Sequence, residues 1–190
     1  MKIENQLRPV WSKWNGVIPV WAAEQAGVKR SDLLKWAEDN PDVDVINSEV
    51  LTWYPDYPES ESFDWDNRSS IISLAEAGPD AYLWGPSVVE LSRLGTWGSG
   101  ITFLATPKKQ PKKTGIYWIV TGKKADNTID GLPAQSIKDA IVSSVRYLDS
   151  DKFAEVLEDA SNQSIISNSE RSSLEKANTD GYISDIRGEA

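Results

Sequence analysis

GVIPVWAAEQAGVKRSDLLKWAEDNPDVDVINSEVLTWYPDYP, residues 16–58, decides the reading of the first part of the chain. Pro19 suits the first turn of a helix over PVWAAEQAG, and Gly27 supplies the left-handed residue that closes it. Ser31 is placed to cap a further helix, DLLKWAEDN, with Leu33, Leu34 and Trp36 in its first turns. Asn40-Pro41 stops that helix, because the residue before proline is pushed out of the helical region. VDVI and VLTWY then flank NSE as a short hairpin. Upstream, Ile3, Leu7, Val10, Trp11 and Trp14 recur at helical spacing over Lys2–Trp14, with Pro9 marking either a start or a kink and Gly16 an end. Three helices followed by a two-stranded wing outline a winged helix-turn-helix over residues 1–58.

The rest of the chain reads differently. PDYPESESFDWDN is rich in proline, serine and acid, and residues 59–68 are expected to link two parts. A helix follows over Ser69–Ala77, ended by Gly78-Pro79. AYLW is a short strand or turn, and PSVVELSRLG a helix with Pro86 near its start. GITFLAT and GIYWIVTG are the clearest strand signals, and the loop PKKQPKK between them is expected at a hairpin tip. PAQSIKDAIVSSVRYL is an amphipathic helix on Ile137, Ile141, Val145 and Leu148. SDKFAEVLEDASNQ is another, capped by Ser150, with Phe153, Val156, Leu157 and Ala160 inward; NSERSSLEKAN is a weaker third, and the last residues are expected to fray. The expected class is α+β: a winged helix-turn-helix, then a mixed α/β domain over residues 69–190 with a small antiparallel sheet and several helices.

Composition limits the chemistry. The 190 residues have 39% hydrophobic content and a mean hydropathy of −0.44, an ordinary composition for a folded domain. No apolar run approaches a membrane span, and the N-terminus has no apolar signal core, so a cytoplasmic protein is expected, with no membrane partner. Cysteine and histidine are both absent. That excludes a disulfide framework, a zinc-finger pattern, a Ser-His-Asp triad and a Cys–His pair. The formal charge of −9 is unevenly placed. Residues 56–90 hold one base, Arg68, among many acids. From Leu91 to Ala125 there is no acid, and Arg93, Lys108, Lys109, Lys112, Lys113, Lys123 and Lys124 stand alone. That stretch is the natural polyanion contact.

In the order of its elements, the chain resembles the AbiEi family of antitoxins from type IV toxin–antitoxin systems. Three stretches carry the resemblance: the winged-helix stretch over residues 16–58, with AAEQAGVKRSDLLKWAEDN within it; LAEAGPDAYLWGPSVVELSRLG, similar to the family's alanine-rich helix, Gly-Pro-Asp-Ala turn and following helix; and the two strands followed by DGLPAQSIKDAIVSSVRYLDSDKFAEVLEDA, similar to the family's Gly-Leu-Pro-Val helix and its successor. Together they cover nearly the whole chain in the right order. The resemblance implies a winged-helix autorepressor of its own operon, with promoter DNA as a partner. It also implies a C-terminal domain that counters a nucleotidyltransferase-like toxin, a functional partner with which no stable complex is required. A homodimer is compatible with this. The chain departs from the family in two places. Asp32, Glu38 and Asp39 lie on a third helix that is basic in relatives, with Asp42, Asp44 and Glu49 on the wing, and SIKDAI replaces an Arg-Thr pair.

The candidate DNA contacts follow. Lys29, Arg30 and Ser31 at the start of the third helix, with Lys35 one turn on, are placed to meet phosphates or base edges, and Arg30 is the best base reader because a guanidinium pairs bidentate with guanine. The bland alternative is a winged helix used for docking proteins. Lys108, Lys109, Lys112 and Lys113, with Lys123 and Lys124, are candidates for tracking a DNA backbone, for meeting an acidic partner, or for guarding strand edges in solvent. Tyr117 and Trp118 are expected on opposite faces. GTWGSG, residues 95–100, precedes a strand and lacks the Lys-Ser/Thr of a phosphate loop, so it reads as a turn. Asp64/Asp66, Asp126/Asp130 and Asp149/Asp151 are carboxylate pairs, of which the last flanks a helix start and suits its dipole. Neither Asp-x-Lys nor Glu-x-Lys occurs, so the acid-x-Lys element of metal nucleases is missing. No catalytic residue, metal ligand or cofactor is expected, and the chain is read as a non-enzyme.

Overall fold

A computed structural model describes residues 3–55, 67–96, 98 and 100–181. The linker expected over 59–68 lies outside the described residues except for its last two, as do residues 56–58 and the terminal residues expected to fray. Contacts divide the chain into two compact units, Met1–Asp80 and Ala81–Ala190. The described residues form eight helices, a small antiparallel sheet and a mixed sheet.

In the first unit, α1 (Ile3–Lys13) carries Pro9 within it and buries Leu7 and Trp11. Asn15 and Gly16, both at positive φ, turn the chain into β1 (Val17–Pro19), a fully buried strand. Pro19 therefore ends a strand and stands as N-cap of α2 (Val20–Gln25), rather than lying in its first turn. Gly27, at φ 88°, closes α2: its own N–H reaches Glu24 O and that of Val28 reaches Ala23 O, both at 3.0 Å. That pair of bonds is a Schellman motif, and the positive φ is why glycine stands there. α3 (Arg30–Asp39) follows at once. Its N-cap is Lys29, with no side-chain cap bond, so Ser31 lies inside the first turn instead of capping it. β2 (Val43–Val45) and β3 (Val50–Trp53) form the expected hairpin, and β1 adds to the far side of β3, giving the order β1-β3-β2, all antiparallel.

Three helices and this sheet share one core of Leu7, Trp11, Ile18, Val20, Ala23, Val28, Leu33, Ala37, Val43, Leu51 and Trp53. The Trp11 indole N–H donates to Trp53 O at 2.6 Å, tying α1 to β3, and Trp36 meets Trp53 edge-on at 5.2 Å. Tryptophan combines a large buried area with one donor that needs a partner; Trp11 finds it in Trp53 O, whereas the buried Trp53 Nε1 has no partner among the described residues. α4 (Arg68–Ala77) packs on β1 and β3. Trp21 donates its indole N–H to Ala75 O at 2.9 Å, and the Asn47 amide donates to Glu76 Oε1 at 2.6 Å. The sequence-based boundary placed this helix with the second part, whereas its contacts group it with the first.

The second unit is built on a five-stranded sheet of order β6-β5-β4-β8-β7. Its strands are β4 (Tyr82–Leu83), β5 (Thr102–Thr106), β6 (Ile116–Val120), β7 (Asn127–Ile129) and β8 (Leu132–Ala134). β5 and β6 are parallel, with Thr102 opposite Ile116 and Thr106 opposite Val120, so they are not the two arms of a hairpin. Residues 107–115, with Pro107 and Pro111 among them, run back along β5 instead of turning tightly, and Thr102 N–H to Gly115 O at 2.7 Å starts both strands at the same end. The parallel register puts Phe103 beside Tyr117 on one face, where they meet Trp84 and Tyr147 at ring separations of 5.2–6.5 Å. Trp118 pairs with Leu104 on the opposite face.

β7 and β8 are a hairpin closed by Asp130 and Gly131, at φ 50° and 80°. Two successive positive φ values mark a type I′ turn, for which Asp-Gly is a preferred pair. The helices are α5 (Pro86–Leu91), α6 (Ile137–Ser144), α7 (Ser150–Asn162) and α8 (Asn168–Gly181). α6 is shorter than the amphipathic run suggested, since Pro133 and Ala134 belong to β8. α7 is capped by Asp149, which accepts from Lys152 N–H at 3.0 Å; Ser150 is its first helical residue. Ser167 and Glu170 make a reciprocal capping box at the start of α8. Among the described residues no helix is long and apolar enough to cross a membrane.

Candidate nucleic-acid interface

Leu33 and Ala37 hold α3 against the core, which turns Ser31, Asp32, Lys35, Glu38 and Asp39 outward. Lys29 is exposed at its start. The structure thus brings Lys29, Ser31 and Lys35 to one accessible surface, beside an open depression of about 390 Å3 lined by Glu24, Gly27, Val28, Lys29 and Arg30. The Ser31 hydroxyl lies 3.4 Å from Asp32 Oδ1.

Arg30 is placed differently. Its guanidinium donates to Ser48 O and, at 2.8 Å, to Glu49 Oε1. The hydrogen bond and charge of Glu49 favour the charged guanidinium still further. The side chain clamps the first residue of α3 to the turn between β2 and β3. Asn47 shapes that turn, its Oδ1 accepting from Glu49 N–H at 2.8 Å and Val50 N–H at 3.0 Å. This clamp was not foreseen, although an arginine opening α3 and a glutamate in the wing turn are both visible in the sequence. Counting Arg30 as neutralised by Glu49, the exposed side of α3 offers Lys29 and Lys35 against Asp32, Glu38 and Asp39.

The lysines of the second unit do not gather at one tip. Lys108 and Lys109 follow directly on the end of β5, whereas Lys112 and Lys113 lie towards the start of β6, where Ile116 N–H bonds Lys113 O at 3.0 Å. Lys123 and Lys124 come just past the end of β6. The two units share the charge unequally: residues 1–80 hold seven Lys and Arg against fifteen Asp and Glu, and residues 81–190 hold thirteen against fourteen.

The carboxylates have local roles. Asp149 caps α7, and its pKa is lowered chiefly by the Lys152 N–H bond. Asp126 Oδ1 accepts from Ser136 N–H at 2.6 Å, and Asp64/Asp66 lie outside the described residues. Glu170 is held down to about 2 by Lys138, whose ammonium lies 2.6 Å away, and then by its bonds from Ser167. Among the described residues no group of three or more such side chains is arranged to hold a metal ion. No family model matches the chain, and no curated protein sequence matches it.

Proposed function

We propose that residues 1–80 carry a winged helix-turn-helix and that the chain is an antitoxin of the AbiEi kind. In this reading it represses its own operon through α3 and counters a nucleotidyltransferase-like toxin through residues 81–190. The observation that carries the first half is the element order α1-β1-α2-α3-β2-β3 with the sheet order β1-β3-β2. That arrangement leaves α3 exposed behind a tight Schellman turn, with a hairpin beside it, as groove insertion of a recognition helix requires. The second half rests on the sequence resemblance of residues 81–160.

Electrostatics set the expected strength. With Lys29 and Lys35 as the phosphate contacts of α3, the slope of log K against log salt is about −1.8 for this face alone, a loss of roughly tenfold between 50 and 200 mM salt. The test pairs a binding titration on the gene's own upstream duplex with a toxin-rescue assay in cells. Preference for that duplex together with rescue supports the antitoxin. Preference without rescue leaves a solitary regulator, and absence of both overturns the reading.

One observation favours a second reading, in which the first unit docks a basic protein instead of DNA. The Arg30–Glu49 clamp ties up the best base reader, and acids outnumber lysines on exposed α3. Beside them, Val45 and Ile46 are 51% and 42% exposed, an apolar pair suited to a protein interface. No preference for any duplex, with capture by a basic partner that Lys29→Gln/Lys35→Gln leaves unchanged, would select this reading.

A further inference from the structure

The sequence Thr106-Pro107-Lys108-Lys109 is matched fifteen residues later by Thr121-Gly122-Lys123-Lys124. Each T-x-K-K run leaves a strand at its C-terminal end, and those strands, β5 and β6, are parallel neighbours. The two runs therefore emerge side by side. Adjacent strands lie about 4.8 Å apart, and the second run is offset by one residue, since Thr106 pairs with Val120. The turns are also built alike. Thr106 Oγ1 accepts from Lys108 N–H at 3.4 Å, Thr121 Oγ1 accepts from Lys123 N–H at 3.2 Å, and Thr121 N–H bonds Thr106 O at 3.0 Å. Each threonine hydroxyl folds its own turn back on the backbone, which is the local bond serine and threonine make in turns.

All four lysines of the paired turns are exposed, and among the described residues no carboxylate lies within ion-pair distance of any of them. The acid nearest in sequence, Asp126, is engaged by Ser136 N–H. Four positive charges with no anion between them repel one another, and a bound polyanion relieves that repulsion. Thr106 is buried and fixes its turn in the sheet, so the cluster stands on a rigid element.

We propose that the paired T-x-K-K turns form a phosphate clamp that takes the phosphodiester backbone of duplex DNA without regard to sequence. Lys108, Lys109, Lys123 and Lys124 are its charges; Lys112 and Lys113 lie outside it. The site stands on geometry separate from α3 and does not depend on the winged-helix reading. Lysine ammonium groups meet phosphates as point charges and carry no base information. Four such contacts give this face a salt slope of about −3.6.

The experiment measures binding of the full chain to a labelled duplex of unrelated sequence by fluorescence anisotropy, from 50 to 200 mM salt. Lys108→Gln/Lys109→Gln/Lys123→Gln/Lys124→Gln is compared with Lys112→Gln/Lys113→Gln, after thermal melting has confirmed that both fold. The clamp predicts that the quadruple variant loses about a hundredfold in affinity at low salt and drops its slope by three to four, while the pair variant keeps its affinity within about threefold. Equal losses in the two variants would mean diffuse charge rather than a built site and would overturn the proposal. So would a wild-type chain that ignores the duplex but binds inorganic tripolyphosphate. Failure of the winged-helix reading shows elsewhere, as loss of preference between the upstream duplex and the unrelated one with the four-lysine effect intact.

Discussion

Changing Asn178 to Ala should cost the second unit more than its place near the end of α8 suggests. The side chain is 2% exposed, and its amide donates to Val145 O at 2.6 Å and to Leu148 O at 2.8 Å. Those carbonyls follow α6, where the chain turns towards α7, so one amide fastens α8 to the α6–α7 junction. Removing it leaves two acceptors without their donor. An unsatisfied buried acceptor costs about 1–3 kcal/mol, so the pair is worth about 3 kcal/mol after partial relaxation. For a unit of this size each kcal/mol moves Tm by about 4 °C, which gives a fall of about 12 °C in differential scanning calorimetry. Asn178→Leu keeps the volume without the donors and should fall about as far; Asn178→Asp, which offers only acceptors to two acceptors, should fall further. A loss under about 3 °C for Ala and Leu would refute the reasoning, because the junction would then be held by packing alone.

Other changes follow from the same geometry. Glu49→Gln removes the charge that occupies Arg30, so binding to the upstream duplex should tighten and the salt slope should steepen by about one. Arg30→Ala should speed amide hydrogen exchange at Glu49 and Val50 by loosening the wing turn, with Leu33 and Ala37 unchanged. Glu170 titrates well below an unfolded glutamate, so its contribution is complete above the unfolded pKa and is lost as pH falls towards about 2. The Tm gap between wild type and Glu170→Gln should therefore be widest above pH 5 and close by pH 2. Gly131→Ala puts a Cβ at φ 80° in the β7–β8 turn and should cost about 1–2 kcal/mol in urea unfolding.

Much of the first unit was legible because its signals are local. Gly27 and Asn40-Pro41 bracket α3, and VDVI and VLTWY announce their hairpin. β1 was hidden because its three residues, Val17–Pro19, are too few to show alternation, and all three are buried. Pairing direction was hidden too. GITFLAT and GIYWIVTG say strand, but their direction shows only in the register, Thr102 beside Ile116 and Thr106 beside Val120, and that is a tertiary fact. The β7–β8 hairpin was readable and missed, since Asp130-Gly131 between NTI and LPA is a strong turn signal. Asp149 and Ser150 are both competent caps, and sequence alone does not choose between neighbours. At the candidate site, exposure of Lys29 and Lys35 follows from the helical period, but the partner of Arg30 depends on where the wing turn folds.

The most direct test of the central claim is the ratio of affinities of the full chain for its own upstream duplex and for a shuffled duplex of the same composition, measured at 50 mM salt. The proposed function predicts a preference of about tenfold or more, equivalent to one or two base contacts. That preference should persist, at lower absolute affinity, both in Lys29→Gln/Lys35→Gln and in the four-lysine clamp variant, because those lysines meet phosphates and not base edges. Equal affinity of the wild-type chain for both duplexes would contradict it and leave α3 as a protein-docking surface.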